Sequence, residues 1–150
     1  MESTEEENNA PLHSETRLRV RYAETDQMGV VYYANYLIWM EIGRTDFCIE
    51  AGFRYSDMEA QDNVAIAVAE ANCRYRAPAR YDDEILIRTT LERLRRRTMR
   101  FSYEILNART EALLAEGHTV HVSVGTDDGR PCSLPDDCYA LLKAWESPPS

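Results

Sequence analysis

The chain has 150 residues and a mass of 17.3 kDa, with 44% apolar and 29% charged residues, a formal net charge of −9 and a pI near 4.8. That length supports one domain with a real hydrophobic core, and no apolar run approaches the roughly 20 residues of a membrane span. The acidic balance argues against nucleic-acid binding that rests on overall charge, while leaving room for a local basic site for a small anion.

The opening stretch, Met1-Glu-Ser-Thr-Glu-Glu-Glu-Asn-Asn, is acidic and lacks the apolar segment of a signal peptide, so a cytoplasmic location is expected. Residues 1–15 read as a disordered acidic tail. Residues 16–146 read as a single domain, and residues 147–150 as a short C-terminal tail.

The run Arg17-Leu-Arg-Val-Arg-Tyr22 alternates apolar and basic, which predicts a half-buried strand with Leu18, Val20 and Tyr22 on one face. A short loop carrying Asp26 and Gly29 follows. From about Tyr33 to Gly52 the spacing turns helical, with Tyr36, Met40, Phe47 and Ala51 in one stripe and Leu37, Ile38, Ile42, Cys48 and Ile49 widening it. A helix apolar over most of its girth is buried on several sides, and Gly52 is a natural stop. This order sets the Asp26 carboxylate beside a helix N-terminus, whose free N–H groups favour negative charge; a site that holds a developing oxyanion needs that arrangement.

A polar connector, Arg54 to Asn63, leads into a strand from Val64 to Arg76. Ala77 to Asp83 reads as a turn. Glu84 to Leu94 follows with Ile85, Ile87, Thr89 and Leu91 on one face, then a strand with Met99, Phe101, Tyr103 and Ile105 alternating. After a turn at Asn107 to Glu111, His118 to Val124 is expected to point Val120, Val122 and Val124 inward. An amphipathic helix from Tyr139 to Trp145 ends the domain. The fold class is therefore α+β: one strand, a long helix, then antiparallel strands that must wrap it.

Of the four cysteines, Cys48, Cys73, Cys132 and Cys138, no two are spaced as C-x-x-C. Cys48 and Cys73 fit small buried hydrophobes. His118 and His121 lie three apart in a strand and point to opposite faces, so no metal site is expected.

Three separated stretches resemble the hotdog-fold acyl-CoA thioesterases of the 4-hydroxybenzoyl-CoA thioesterase and YbgC-like branch. They are Arg21-Tyr22-x-x-Thr25-Asp26-x-x-Gly29-Val-Val-Tyr-Tyr33-Ala-Asn-Tyr36 with Glu41-x-x-Arg44; Tyr75-Arg-Ala-Pro78-Ala-Arg-Tyr81-Asp82-Asp83; and Gly129-Arg-Pro131 with Leu134-Pro135. The resemblance implies a curved antiparallel sheet wrapped around one long central helix. It also implies sheets paired edge to edge in a homodimer or homotetramer, with active sites at the dimer interface. The implied activity is hydrolysis of an acyl- or aryl-CoA to the free acid and CoA, with no cofactor, since CoA is part of the substrate. Asp26 matches the catalytic aspartate, acting as nucleophile or as general base. The backbone N–H of Tyr33 matches the oxyanion donor, and Gly29 shapes the loop between them. By the same resemblance Arg95, Arg96 and Arg97 meet the CoA phosphates, and Tyr36 and Trp39 line the acyl pocket. Glu41 and Arg44, three apart on the helix, are expected to form a structural ion pair, and Glu24 to lie exposed at the strand end. Two other functions fit the same frame: an acyl-carrier-protein thioesterase, and a module that binds acyl-CoA or acyl carrier protein without hydrolysis.

Overall fold

A computed structural model describes residues 12–149; residues 1–11, most of the expected acidic tail, lie outside the described residues. In chain order the elements are strand β1 (Ser14–Arg19), a 3-10 turn (Tyr22–Glu24), helix α1 (Asn35–Ala51), helix α2 (Tyr55–Asp62), strands β2 (Val64–Tyr75), β3 (Glu84–Leu94), β4 (Thr98–Asn107) and β5 (Leu113–Gly125), and helix α3 (Asp136–Lys143). The strands form a five-stranded sheet in the order β1-β3-β4-β5-β2, and every neighbouring pair is antiparallel. The first strand closes one edge against β3, and β2 is left as the other edge.

α1 lies on this sheet through Tyr36, Trp39, Met40, Gly43, Phe47, Cys48 and Ala51, all buried at helical spacing. Facing them are Ile85, Ile87, Thr89 and Leu91 of β3 and Met99, Phe101, Tyr103 and Ile105 of β4, buried as their alternation predicts. Phe47 meets Phe101 edge-on, with ring centroids 5.5 Å apart. At Gly43 the helix backbone packs directly on the sheet: a Cβ there would sit 2.5 Å from Thr89 Oγ1 and 2.8 Å from Ile87 Cγ2. Gly52, at φ +124°, ends the helix and donates to the carbonyls of Cys48 and Ile49.

Several expectations change. β1 begins at Ser14, inside the expected tail, because Ser14 and Thr16 turn inward and Thr16 Oγ1 donates to Asp46 Oδ2 of α1 at 2.9 Å. It ends at Arg19, and Tyr22 swings out in the 3-10 turn, 78% exposed. The polar connector is helix α2, held by buried Met58 and closed by Asn63 in the left-handed region. The last helix starts at Asp136, three residues early, and buries Cys138 and Leu142.

β5 reverses the predicted facing. Thr119 and His121 pair across from Phe101 and Met99 and are buried with Ser123, whereas Val120, Val122 and Val124 lie on the outer face. The inward polar side chains are bonded to one another and to their neighbours: Thr119 Oγ1 to Tyr103 Oη at 2.6 Å and to His121 Nε2 at 2.7 Å, and Ser123 Oγ to the Cys132 carbonyl. Finally, α1 is not enclosed by its own chain. Leu37, Ile38, Ile42 and Ile49 remain between 37% and 47% exposed, because one sheet covers one side of a helix.

Candidate active site

Asp26 sits on a miniature hairpin. Its N–H donates to the Val30 carbonyl at 2.9 Å, and Gly29 N–H donates back to the Asp26 carbonyl at 3.0 Å. Thr25 bridges Val31, and Gly29 takes φ +80°. This is a three-residue loop, a turn followed by a left-handed residue, which glycine adopts without strain. A Cβ at Gly29 would meet nothing within 4 Å, so the glycine serves backbone conformation and not a close approach. Asp26 Oδ1 accepts from Met28 N–H at 2.8 Å. Oδ2 has no hydrogen-bond partner among the described residues, which leaves one carboxylate oxygen for a ligand.

After the hairpin the chain runs straight into α1. Tyr32 N–H donates to the Glu24 carbonyl at 2.9 Å, and the N–H groups of Asn35, Tyr36 and Leu37 close the first helical turn. The N–H groups of Tyr33 and Ala34 find no acceptor among the described residues. Unclaimed donors are what a helix start provides, and they are the groups that stabilise an oxyanion. Asp26 and Tyr33 line the same open cleft of about 360 Å³, with Val30, Tyr36, Tyr75 and Arg76 among its other walls. Its lining is mainly aromatic and aliphatic. Tyr36 Oη accepts from Ala79 N–H at 3.2 Å, and burial pushes its pKa up.

Glu24 anchors this assembly. It is 5% exposed, contrary to the expectation of strand-end exposure. Its carboxylate accepts from Arg21 N–H and from Trp39 Nε1, each at 2.8 Å, and its carbonyl accepts from Asn35 Nδ2 at 2.9 Å. The loop that carries Asp26 is thereby tied to the first and fifth residues of α1, Asn35 and Trp39, through one residue. The Arg21-x-x-Glu24 spacing, like a capping box, was the available signal.

The other expected residues separate. Tyr36 does line the cleft. Trp39 does not: it is fully buried, because its indole N–H is drawn inward to Glu24. Glu41 lies exposed and forms no ion pair with Arg44 among the described residues; the Arg44 guanidinium turns inward to Tyr103 Oη at 3.4 Å. Arg95, Arg96 and Arg97 form the exposed hairpin between β3 and β4. The Asp26 cleft meets the opposite end of the sheet, where β2 stops at Tyr75 and β3 starts, about 30 Å away at the rise of a ten-residue strand. Within one chain these arginines are not brought to Asp26. Arg96 is also engaged, paired with Asp136 at 2.9 Å and stacked 4.5 Å over the Tyr139 ring.

Sequence reasoning passed over Tyr75 and Arg76 as site residues, yet both line the cleft. Among the described residues, Asp62, Asp137 and Cys138 form a cluster of metal-ligand type, at the start of α3 and away from the cleft, and two of the three are exposed acids of a kind common without a metal. No helix of the described residues is long and apolar enough to cross a membrane.

Residues 20–144 match the thioesterase-like superfamily. YneP of Bacillus subtilis is 39% identical over 87% of this chain and 96% of its own. The acyl-CoA thioester hydrolase YbgC of Escherichia coli is 34% identical over 84% of this chain and 92% of its own. Among solved structures, the DHNA-CoA thioesterase of Staphylococcus aureus superposes with a TM-score of 0.82 at 33% identity, covering 88% of this chain and 91% of that one. An unpaired carboxylate oxygen, an unclaimed helix-start N–H and a near full-length match together lead to one conclusion: the chain belongs to the hotdog-fold thioesterase-like superfamily.

Proposed function

We propose that this protein is an acyl-CoA thioesterase that hydrolyses an acyl- or aryl-CoA to the free acid and CoA. The observation that carries the reading is the meeting, in one cleft, of Asp26 with a free Oδ2 and Tyr33 with an unclaimed N–H. The thioester carbonyl oxygen accepts from the Tyr33 N–H, and that oxygen takes up negative charge as the carbon becomes tetrahedral. Asp26 then acts in one of two ways. Its carboxylate attacks the carbonyl carbon and expels CoA thiolate, leaving an anhydride that water cleaves to acid and free Asp26. Alternatively, it takes a proton from the water that attacks. Label found in Asp26 after a single turnover in ¹⁸O-water establishes the anhydride route, since general-base hydrolysis places the label in the product acid alone.

The arginine hairpin meets CoA phosphates only if a second copy brings it to the cleft. The reading therefore includes a homodimer or homotetramer joined along β2, with Arg95 and Arg97 supplying always-charged contacts to the nucleotide. Four free cysteines suit the reducing cytoplasm, where we place the protein.

The test is thiol release across short, medium, long and aromatic acyl-CoAs and acyl carrier protein, with wild type and Asp26→Ala side by side. The expected result is turnover of CoA esters that falls at least a hundredfold in the variant, with ligand binding retained. Turnover confined to the carrier protein makes that the substrate. Ligand binding without turnover makes the protein a binding module.

A further inference from the structure

Tyr75 is the last residue of β2, and it reaches across the cleft to the start of α1. Its hydroxyl donates to the Tyr33 carbonyl at 2.9 Å. That carbonyl otherwise receives only the longer Tyr36 N–H contact, at 3.3 Å, among the described residues. The Tyr75 ring stands edge-on to Tyr36 at 5.1 Å and to Tyr33 at 6.4 Å, with interplanar angles of 84° and 83°. From these contacts we infer that Tyr75 is a positioning residue for the oxyanion donor: by fastening the Tyr33 carbonyl to the end of β2, it holds the Tyr33 backbone and its unclaimed N–H in place beside Asp26.

The need for such a clamp follows from where Tyr33 lies. It precedes the regular turns of α1, in the part of a helix that frays. Its side chain is 60% exposed and offers little burial to anchor it. The free N–H cannot itself be tied down without losing its role, so the residue has to be held by its carbonyl. Displacement of a donor by a fraction of an ångström is costly to catalysis, because the bond must be correct in the transition state. Burial pushes the Tyr75 pKa up to about 12, so the hydroxyl keeps its proton at neutral and mildly alkaline pH and remains a donor. The structural alternative is that Tyr75 matters only as a ring packed on Tyr36.

The inference rests on the thioesterase reading, and Tyr75→Phe tests it because it keeps the ring and deletes the clamp. With thermal melting confirming a folded variant, kcat on the best CoA ester is expected to fall about tenfold while KM stays within about twofold. The second readout is the thioester carbonyl stretch of an acyl-CoA bound to the Asp26→Asn protein. That stretch is expected below its free-solution frequency, and adding Tyr75→Phe should move it back. Equal kcat in Tyr75→Phe and wild type, or an unmoved stretch, overturns the role of Tyr75 and leaves the thioesterase reading standing. A wild type inert on every ester overturns the thioesterase reading and the inference with it.

Discussion

Glu24 shows how much of the Asp26 loop's geometry is decided one residue outside it. Its buried carboxylate takes two hydrogen bonds, and its carbonyl takes two more, from Tyr32 N–H and Asn35 Nδ2. Glu24→Ala leaves the Trp39 and Arg21 N–H groups without their acceptor. The Trp39 N–H is buried, and such an orphan costs about 1–3 kcal/mol, so the variant is expected to lose about 1–3 kcal/mol and melt roughly 3–9 °C lower. Because the same contacts hold the Asp26 hairpin to α1, activity should fall more than stability alone explains when both are measured well below the melting point. Asp26→Ala is the complement. It removes the carboxylate proposed to react but only one exposed hydrogen bond, so turnover is expected to collapse while the melting temperature stays close to wild type.

β5 is the element whose pattern misled. Three alternating valines invite an inward reading, but pairing with β4 fixes the parity, and the register puts His121 opposite Met99. A one-residue slip would turn every side chain to the other face. The cost of the actual register is a row of buried polar groups, offset by their mutual bonds through Thr119 and Tyr103. His121 Nδ1 remains buried without a partner among the described residues. Burial, aided by the positive charge of Arg44, holds the His121 pKa down to about 3, well below its usual 6.5. The folded state therefore keeps this histidine neutral, while the unfolded chain protonates it below about pH 6.5. The stability contributed is present above that pH and is lost as pH falls from 6.5 toward 3, at about 1.4 kcal/mol per unit. Replacing His121 with Gln should flatten the loss of stability between pH 6.5 and 4, measured by denaturant midpoints on both proteins.

At the scale of the molecule, one surface is left unfinished. β2 is a 12-residue edge whose residues from Ala67 to Asn72 are all exposed, Val68 at 55%. α1 also shows Leu37, Ile38 and Ile42 to solvent. A long edge without proline, on which Glu70 and Arg74 are the charged residues, still offers its unpaired backbone groups to another strand. Light scattering is expected to give a mass that is a multiple of 17.3 kDa, and Val68→Lys should move it toward that value. If the second copy supplies the arginines, the same variant should raise KM for CoA esters. A monomeric wild type would remove the proposed shared site.

The sequence by itself determined the order of the strands, of α1 and of the last helix, the buried face of α1, the inward faces of β3 and β4, and the Asp26–Gly29–Tyr33 start of the helix. These are local matters of period, turn chemistry and capping, and they can be read within a window of a dozen residues. Only the tertiary structure decided that Trp39 belongs to Glu24 and not to the pocket, that Val120, Val122 and Val124 face out, that Tyr75 reaches Tyr33, and that Arg95 to Arg97 stand at the far end of the sheet from Asp26. Each of these depends on strand register or on a contact between residues far apart in the chain. Local pattern carries no information on such contacts, because the free energy that selects them is released only when the elements pack together.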